Sequence, residues 1–195
     1  MARRSGLMDG STQTDDALIA AYAGGDLSAA APLAQRHAPR VLSLALRMLG
    51  DAAEAEDVAQ DAMLRLWRIA PEWQPGRARA STWLYRVAAN LCTDRLRRRA
   101  RLAPLDAAAE PVDARPSAHE RMQEGQRQGA LEAALLELPE RQRLAVILRH
   151  IEELPNPDIA AMMGISVDAV ESLTARGRAG LARALADRKE ALGYE

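Results

Sequence analysis

Apolar residues recur at three- and four-residue steps in several stretches of the chain, the spacing of amphipathic helices. The clearest stretch is DAAEAEDVAQDAMLRLWRIA, from Asp51 to Ala70. Val58, Ala59, Ala62, Met63, Leu66, Trp67 and Ala70 share one face, leaving Asp57, Gln60, Asp61, Leu64 and Arg68 on the other. Asp51 is placed to cap this helix, with Glu54 completing a capping box, and Pro71 ends it. After a Pro- and Gly-broken loop, PEWQPGRAR, a second helix begins at or just before Ser81 and runs to Arg101. Its inner stripe is Leu84, Val87, Ala88, Leu91 and Cys92, so Trp83, Arg86, Asn90, Asp94, Arg97 and Arg98 look outward.

Upstream, the pattern predicts a short helix capped by Thr14 or Asp15 and ending at Ala23, with a break at Gly24 to Asp26. Leu27 to Leu49 then forms one helix, or a pair bent near Pro39, closed by Gly50. Leu33, Val41, Leu44, Ala45, Met48 and Leu49 are its core candidates. Residues 1–14 are polar and aperiodic and read as a disordered tail.

Downstream, LAPLDAAAEPVDARPS lacks a helical stripe and reads as a linker over 102–117. Periodicity resumes near Ala118 and strengthens through Leu131, Leu135 and Leu138. Pro139 opens a helix with Leu144, Ile147, Leu148 and Ile151 inward. Leu154 to Pro157 forms a turn, Asp158 to Met163 a short helix with Ile159, Ala160 and Met163 inward, and Gly164 a stop. Ser166 caps a longer helix from Val167 to about Asp187. Two helices joined by a short glycine-led turn form a helix-turn-helix. Gly177 and Gly180 each weaken the second of these by about 1 kcal/mol relative to Ala, which predicts fraying or bending after Ala175. The expected organisation is a tail (1–14), a helical domain (15–101), a linker (102–117) and a helix-turn-helix domain (118–195).

Composition supports an all-α chain of two small helical domains. Alanine is abundant, Phe is absent, and 195 residues suffice for two small cores. The net charge of -1 conceals a segregation of charge along the sequence. Between Arg77 and Arg101 stand eight arginines and one acid, Asp94. Such a concentration of guanidinium groups suits phosphate. The single cysteine, Cys92, excludes an internal disulfide and any multi-cysteine zinc site, and its apolar helix face marks it as core. His37, His119 and His150 show no ligand spacing, and no Ser, His or Asp stands in a nucleophile context. Neither metal, cofactor, small-molecule substrate nor enzymatic activity is expected. MARRSGLMDGSTQT is no signal peptide, and no apolar run reaches the ~20 residues of a membrane span, so a cytoplasmic protein without membrane insertion is expected.

Trp73 and Trp83 fall off the apolar stripes and lie beside arginines. Aromatic faces for stacking, worth roughly 1–3 kcal/mol per base, next to phosphate-neutralising cations make a surface that prefers unpaired strands to duplex. A loop stiffened by Pro71 and Pro75 and tightened by Gly76 can hold a flipped base. In the helix-turn-helix, the N-terminal part of the second helix, Asp168, Ala169, Glu171, Ser172 and Arg176, is placed for base edges, while Arg178 and Arg183 suit phosphates.

AEDVAQDAMLRLWR followed by ASTWLYRVAANLCTDRLRRR resembles region 2 of the bacterial sigma-70 family. LPERQRLAVILRHIEELPNPDIAAMMGISVDAVESLTARGRAGLARAL resembles region 4. Size and the weak linker resemble the extracytoplasmic-function (ECF) group. The resemblance implies a dissociable subunit of core RNA polymerase that opens the −10 element as single strands and reads the −35 element as duplex. It places Asp57, Gln60, Asp61, Leu64 and Trp67 in the polymerase-binding motif, although Trp67 by its spacing is core. It makes Trp73 to Arg79, including Arg77, the base-capturing loop, and sets Thr82, Trp83, Arg86, Asn90, Arg97, Arg98 and Arg99 along the melting helix. Arg176 and Arg178 match a basic pair late in the −35 helix, whose set begins at Ser166. The chain departs from the family at Glu171, where a basic residue is usual, and at Thr174, where a larger apolar one is. The resemblance also implies an anti-sigma factor as partner. A stand-alone helix-turn-helix regulator and a decoy that sequesters an anti-sigma factor are the alternative readings.

Overall fold

A computed structural model describes residues 13–102 and 129–189, and all of its regular elements are helical. Helix α1 (Asp15–Ala23) starts on Thr14, whose Oγ1 accepts from the Ala17 amide at 3.3 Å. A 3-10 turn (Leu27–Ala29) leads into α2 (Ala30–Leu49), which passes through Pro39 as one helix. Of the two forms the sequence allowed, the unbroken one is adopted. Pro39 and Gln35 both lie on the exposed side, where the carbonyl that loses its partner can be solvated.

Asp51 caps α3 (Ala52–Ile69) by accepting from the Glu54 amide at 2.9 Å. The reciprocal half of the capping box does not form: the Glu54 carboxylate turns instead to Arg99, 2.8 Å away. A 3-10 turn (Ala70–Glu72) follows, then a loop, then α4 (Ala80–Leu102). Helices α2, α3 and α4 bury a common core of Leu33, Val41, Leu44, Met48, Val58, Leu66, Leu84 and Cys92. Each fully buried Leu or Val contributes about 1.5–3 kcal/mol by leaving water. Helix α1 is tied on by Asp15, which accepts from Arg36 at 3.1 Å and lies 2.8 Å from the Nε2 of His37, itself only 8% exposed. Residues 1–12 of the polar tail expected over 1–14, 103–117 of the expected linker and 118–128, where periodicity was expected to resume, fall outside the described residues.

Residues 129–136 form α5. Pro139 caps α6 (Glu140–Val146), which continues as a π-helical turn (Ile147–Ile151). Helix α7 (Asn156–Met163) starts two residues earlier than the pattern suggested, because Pro157 is accommodated in its first turn rather than ending the preceding turn. Met163 is only half-buried, whereas Ile159 and Ala160 are in the core. The Ser166 hydroxyl accepts from the Ala169 amide at 3.2 Å to start α8 (Val167–Lys189).

The expectation that α8 frays or bends after Ala175 is not met, since the helix is continuous to Lys189. Both glycines face α6 and its approach. A Cβ at Gly177 would stand 2.5 Å from Val146 Cγ2 and 3.1 Å from the Gln142 carbonyl oxygen, and one at Gly180 would stand 2.7 Å from Leu138. Their helix-weakening cost is the condition for close helix packing, a long-range contact that local propensity does not contain.

The two helical groups touch. Gly50, at φ 68°, ends α2 in the left-handed region and leaves room for Leu136, whose Cδ1 would lie 2.7 Å from any added Cβ. Beside it, Arg143 of α6 reaches the end of α2.

Candidate nucleic-acid interface

The loop between α3 and α4 is shaped by its ends and by one distant carboxylate. Trp73 leaves the 3-10 turn extended, and Gly76 takes φ 77°, a conformation open to glycine and strained for other residues. Asp16 of α1 accepts the Trp73 indole N–H on Oδ1 at 2.8 Å and the Gly76 amide on Oδ2 at 3.2 Å. Trp73 meets Trp83 of α4 edge to face, with centroids 6.1 Å apart and planes at 82°. Both rings are half-buried, so each keeps an open side. Together with Ile69, Glu72, Gln74, Arg77, Ala78 and Arg86 they line a cavity of about 510 Å³. This is a concave site with aromatic walls and two guanidinium groups at its rim.

Further along α4, Arg86, Asn90, Arg97 and Arg98 are exposed. Among the described residues Arg97 makes only a surface pair with Asp94, at 3.5 Å. Arg99 differs. It donates to the Glu54 carboxylate, lies 3.8 Å from Asp51 and donates to the Leu49 carbonyl at 3.1 Å, so it ties α4 to the ends of α2 and α3 rather than standing free on the melting face. The family resemblance set Arg99 beside Arg97 and Arg98, whereas the packing of three helix ends claims it.

Thr82 and Arg79 open onto a cleft of about 660 Å³ whose far wall is Glu152, Glu153 and Asp158 of the second group. Asn90 and Arg97 open onto another, of about 370 Å³, closed by Glu140, Arg141 and Met162. Tyr85, absent from the expected inner stripe, is buried at the wall of the first of these clefts. Burial first, then its hydrogen bond to the Glu152 carboxylate, hold its hydroxyl well above the usual phenol range.

On α3, Asp57 and Gln60 are exposed and Leu64 is 44% exposed, an apolar side chain held in solvent beside carboxylates. Asp61 lies 3.9 Å from Arg95. Trp67 is half-buried against Tyr22, with centroids 4.9 Å apart. Asp57, Gln60, Asp61 and Leu64 thus line one outward strip, and Trp67 borders it from the core side.

On α8, Asp168, Glu171, Ser172, Arg176 and Arg178 are exposed and Ala169 half-buried. Several are already engaged. Ser166 caps the helix, Glu171 accepts from Asn156 at 3.3 Å, and Arg176 folds back onto the Ser172 hydroxyl at 2.5 Å. Arg178 stands close enough to His150 that, after partial burial, its charge and that of Arg149 hold the imidazole below its usual pKa. Thr174 is buried, and its hydroxyl finds no partner among the described residues.

Sequence reasoning missed Asp16 and Tyr85. Asp16 follows a capping threonine and reads as an ordinary first-turn acid, and its partners lie 57 and 60 residues away. Among the described residues no cluster of His, Cys, Asp or Glu is arranged for a metal, and no helix is long and apolar enough to cross a membrane.

An aromatic cavity rimmed by arginine, on a helical domain joined to a helix-turn-helix, has the chemistry of a nucleic-acid-binding protein. Residues 33–102 match the family model for sigma-70 region 2, and residues 128–181 the model for sigma-70 region 4. The chain is 36% identical over 173 residues to the ECF RNA polymerase sigma factor SigM of Mycobacterium tuberculosis, covering 89% of this chain and 85% of that one. It is 38% identical over 150 residues to ECF sigma factor SigE of Mycolicibacterium smegmatis, covering 75% of this chain but 57% of that longer protein. Among solved structures, CnrH in complex with the cytosolic domain of CnrY superposes with a TM-score of 0.64 at 28% identity, covering 90% of this chain and 99% of that one. The chain belongs to the ECF group of the sigma-70 family. It is a transcription initiation factor rather than an enzyme, and its partners are core RNA polymerase and promoter DNA.

Proposed function

We propose that the work of promoter recognition is divided among three surfaces of this chain. The observation that carries the reading is the edge-to-face Trp73–Trp83 pair walling a cavity with Arg77 and Arg86 at its rim. An unstacked base entering it gains stacking, roughly 1–3 kcal/mol, while the guanidinium groups neutralise adjacent phosphates. Arg79, Thr82, Asn90, Arg97 and Arg98 continue the track along α4, and Arg99 holds the scaffold. The strip of Asp57, Gln60, Asp61 and Leu64, bordered by Trp67, grips the polymerase: an apolar anchor ringed by carboxylates suits a basic surface with an apolar socket. At the start of α8, Ser166, Asp168, Ala169, Glu171 and Ser172 face the −35 edges, with Arg176 and Arg178 on bases or phosphates.

The chain divides into a tail (1–14), a region 2 domain (15–101), a linker (102–117) and a region 4 domain (118–195), and acts in the cytoplasm. Because Thr82, Asn90 and Arg97 open onto clefts shared with the second domain, engaging the −10 strand along all of α4 requires that domain to move away. An anti-sigma factor is a further partner, as the resemblance to the ECF group implies, and CnrH, which this chain resembles in structure, was solved with a protein partner, the cytosolic domain of CnrY.

Reconstituted transcription with core polymerase tests the scheme. Trp83→Ala is expected to reduce open-complex formation at least tenfold while leaving core binding within about twofold, stacking being lost only in the melted state. Equal loss of both would refute the assignment.

A further inference from the structure

Asp16 of α1, outside the α3–α4 loop and α4, holds the loop by both of its side-chain oxygens. Its two acceptors take up two different parts of the loop: the Trp73 indole N–H at 2.8 Å and the Gly76 amide at 3.2 Å. The first fixes a ring and the second fixes backbone, at the residue whose φ of 77° turns the chain. Trp73 is at the same time the edge-on partner of Trp83 and a wall of the cavity. One carboxylate therefore determines where the indole stands and how the loop passes it. The loop, lacking other secondary structure between the 3-10 turn and α4, supplies few restraints of its own; the Arg77 amide to the Gln74 carbonyl at 3.3 Å and the Arg77 side chain to Gln74 Oε1 at 3.1 Å are both internal to it.

We infer that Asp16 is a positioning and specificity-determining residue for the single-stranded base reader, setting the shape of the Trp73–Trp83 cavity from the first helix of the chain. The inference rests on the proposed reading of 73–79 as the base-capturing loop. A pocket discriminates among bases only as far as its walls hold still. A wall anchored by charge-assisted hydrogen bonds is ordered before the base arrives, so its ordering is not charged against binding. Asp16 touches no DNA in this scheme and acts through Trp73 and Gly76.

The test uses the full-length protein with core polymerase and promoter duplexes carrying 2-aminopurine, or each of the four bases, in turn at every non-template position of the −10 element. The variants are Asp16→Ala, Asp16→Asn, Trp73→Phe, which keeps an aromatic ring but deletes the N–H donor, and Asp16→Ala with Trp73→Phe together. At one position, discrimination among bases is expected to fall roughly tenfold in Asp16→Ala, equivalent to about 1.4 kcal/mol. Affinity for core and for −35 duplex should remain unchanged. Asp16→Asn should lie between, since an amide offers only one acceptor. The double variant should be no worse than Asp16→Ala alone, because the hydrogen bond that Trp73→Phe deletes is already lost in Asp16→Ala.

Unchanged discrimination in Asp16→Ala, or strictly additive losses in the double variant, overturns the inference. Trp83→Ala separates the two levels: if it too leaves every position unaffected, the base-capture reading has failed, whereas if it alone abolishes discrimination only the role of Asp16 has. Should Asp16→Ala fold poorly, Trp73→Phe decides, because it deletes the same hydrogen bond from the donor side.

Discussion

Arg143 of α6 places its Nη1 2.5 Å from the carbonyl oxygen of Met48, 95 residues away at the end of α2. Its Nη2 donates to the carbonyls of Leu136 and Leu138, at 2.6 and 3.0 Å, so one guanidinium gathers the ends of α5 and α2. Only 8% of the residue is exposed, and that burial lowers the guanidinium pKa from its usual value. The charge is held in place by the three carbonyls.

Arg143→Met should therefore cost stability. The stem is kept and three hydrogen bonds to a charged donor are lost, about 2–3 kcal/mol in total after desolvation is returned. For a chain of this size the expected fall in Tm is about 5–10 °C. Thermal unfolding followed by circular dichroism checks it; an unchanged or higher Tm would mean that burying the guanidinium cancels what its hydrogen bonds contribute.

Gly177→Ala tests the packing of α8 on α6. Helix propensity alone favours alanine by about 1 kcal/mol. The new Cβ, however, would press on the Val146 methyl and on the Gln142 backbone carbonyl, which cannot rotate away. A net loss of about 1–3 kcal/mol is expected. Gly180→Ala meets only the tip of Leu138 and should be the milder of the two. Denaturant titration of both variants, side by side, reads the order; a stabilised Gly177→Ala would contradict the close packing.

The neighbouring arginines of α4 should separate by salt dependence. Replacing both Arg97 and Arg98 by Ala is expected to flatten the slope of log K against log salt by about 0.7–0.9 per lost phosphate contact, with Tm little changed. Arg99→Ala should do the reverse, leaving the slope and lowering Tm, because its partners are Glu54, Asp51 and the Leu49 carbonyl. Binding measured from low to moderate salt, alongside thermal melts, distinguishes them.

Alkali should unfold the protein earlier than its acids and bases on the surface would suggest. Burial, aided by Glu140 and Glu54 and opposed by Arg95, pushes the Cys92 thiol up to about 12 from an ordinary 9.0. The unfolded chain gives up this proton near its ordinary value while the folded one keeps it, so the unfolded state binds fewer protons and stability falls as pH rises between 9.0 and about 12. Tyr85, raised in the same direction, steepens the upper part of that fall. Chemical denaturation at stepped pH measures this, and Cys92→Ala should soften the decline. The same burial makes the native thiol inert to iodoacetamide at pH 8.

Much of this was legible in the residues. Thr14, Asp51, Gly50, Gly164 and Ser166 mark helix ends by local chemistry, and local chemistry is what a sequence displays. The periodic faces of α2 and α3 likewise give their own core. What stayed hidden is decided between distant segments. Glu54 could cap its own helix or meet Arg99, and only the crossing of α3 and α4 chooses. Gly177 weakens a helix in isolation and permits one in contact. Asp16 looks like any first-turn acid until Trp73 arrives. The motif resemblance supplied the grouping of Trp73, Trp83, Arg77 and Arg86, which periodicity alone leaves as outward-facing residues.

The carbonyl of Met48 is among the last four of α2, which no helical amide can satisfy. Withdrawing Arg143 from it exposes a group that water hydrates without disturbing any turn of the helix, and the guanidinium retains Leu136 and Leu138 as anchors on its own side. The joint between the two groups thus rests, at this point, on a carbonyl that the geometry of α2 leaves unpaired in any case, so parting them there breaks no hydrogen bond internal to that helix.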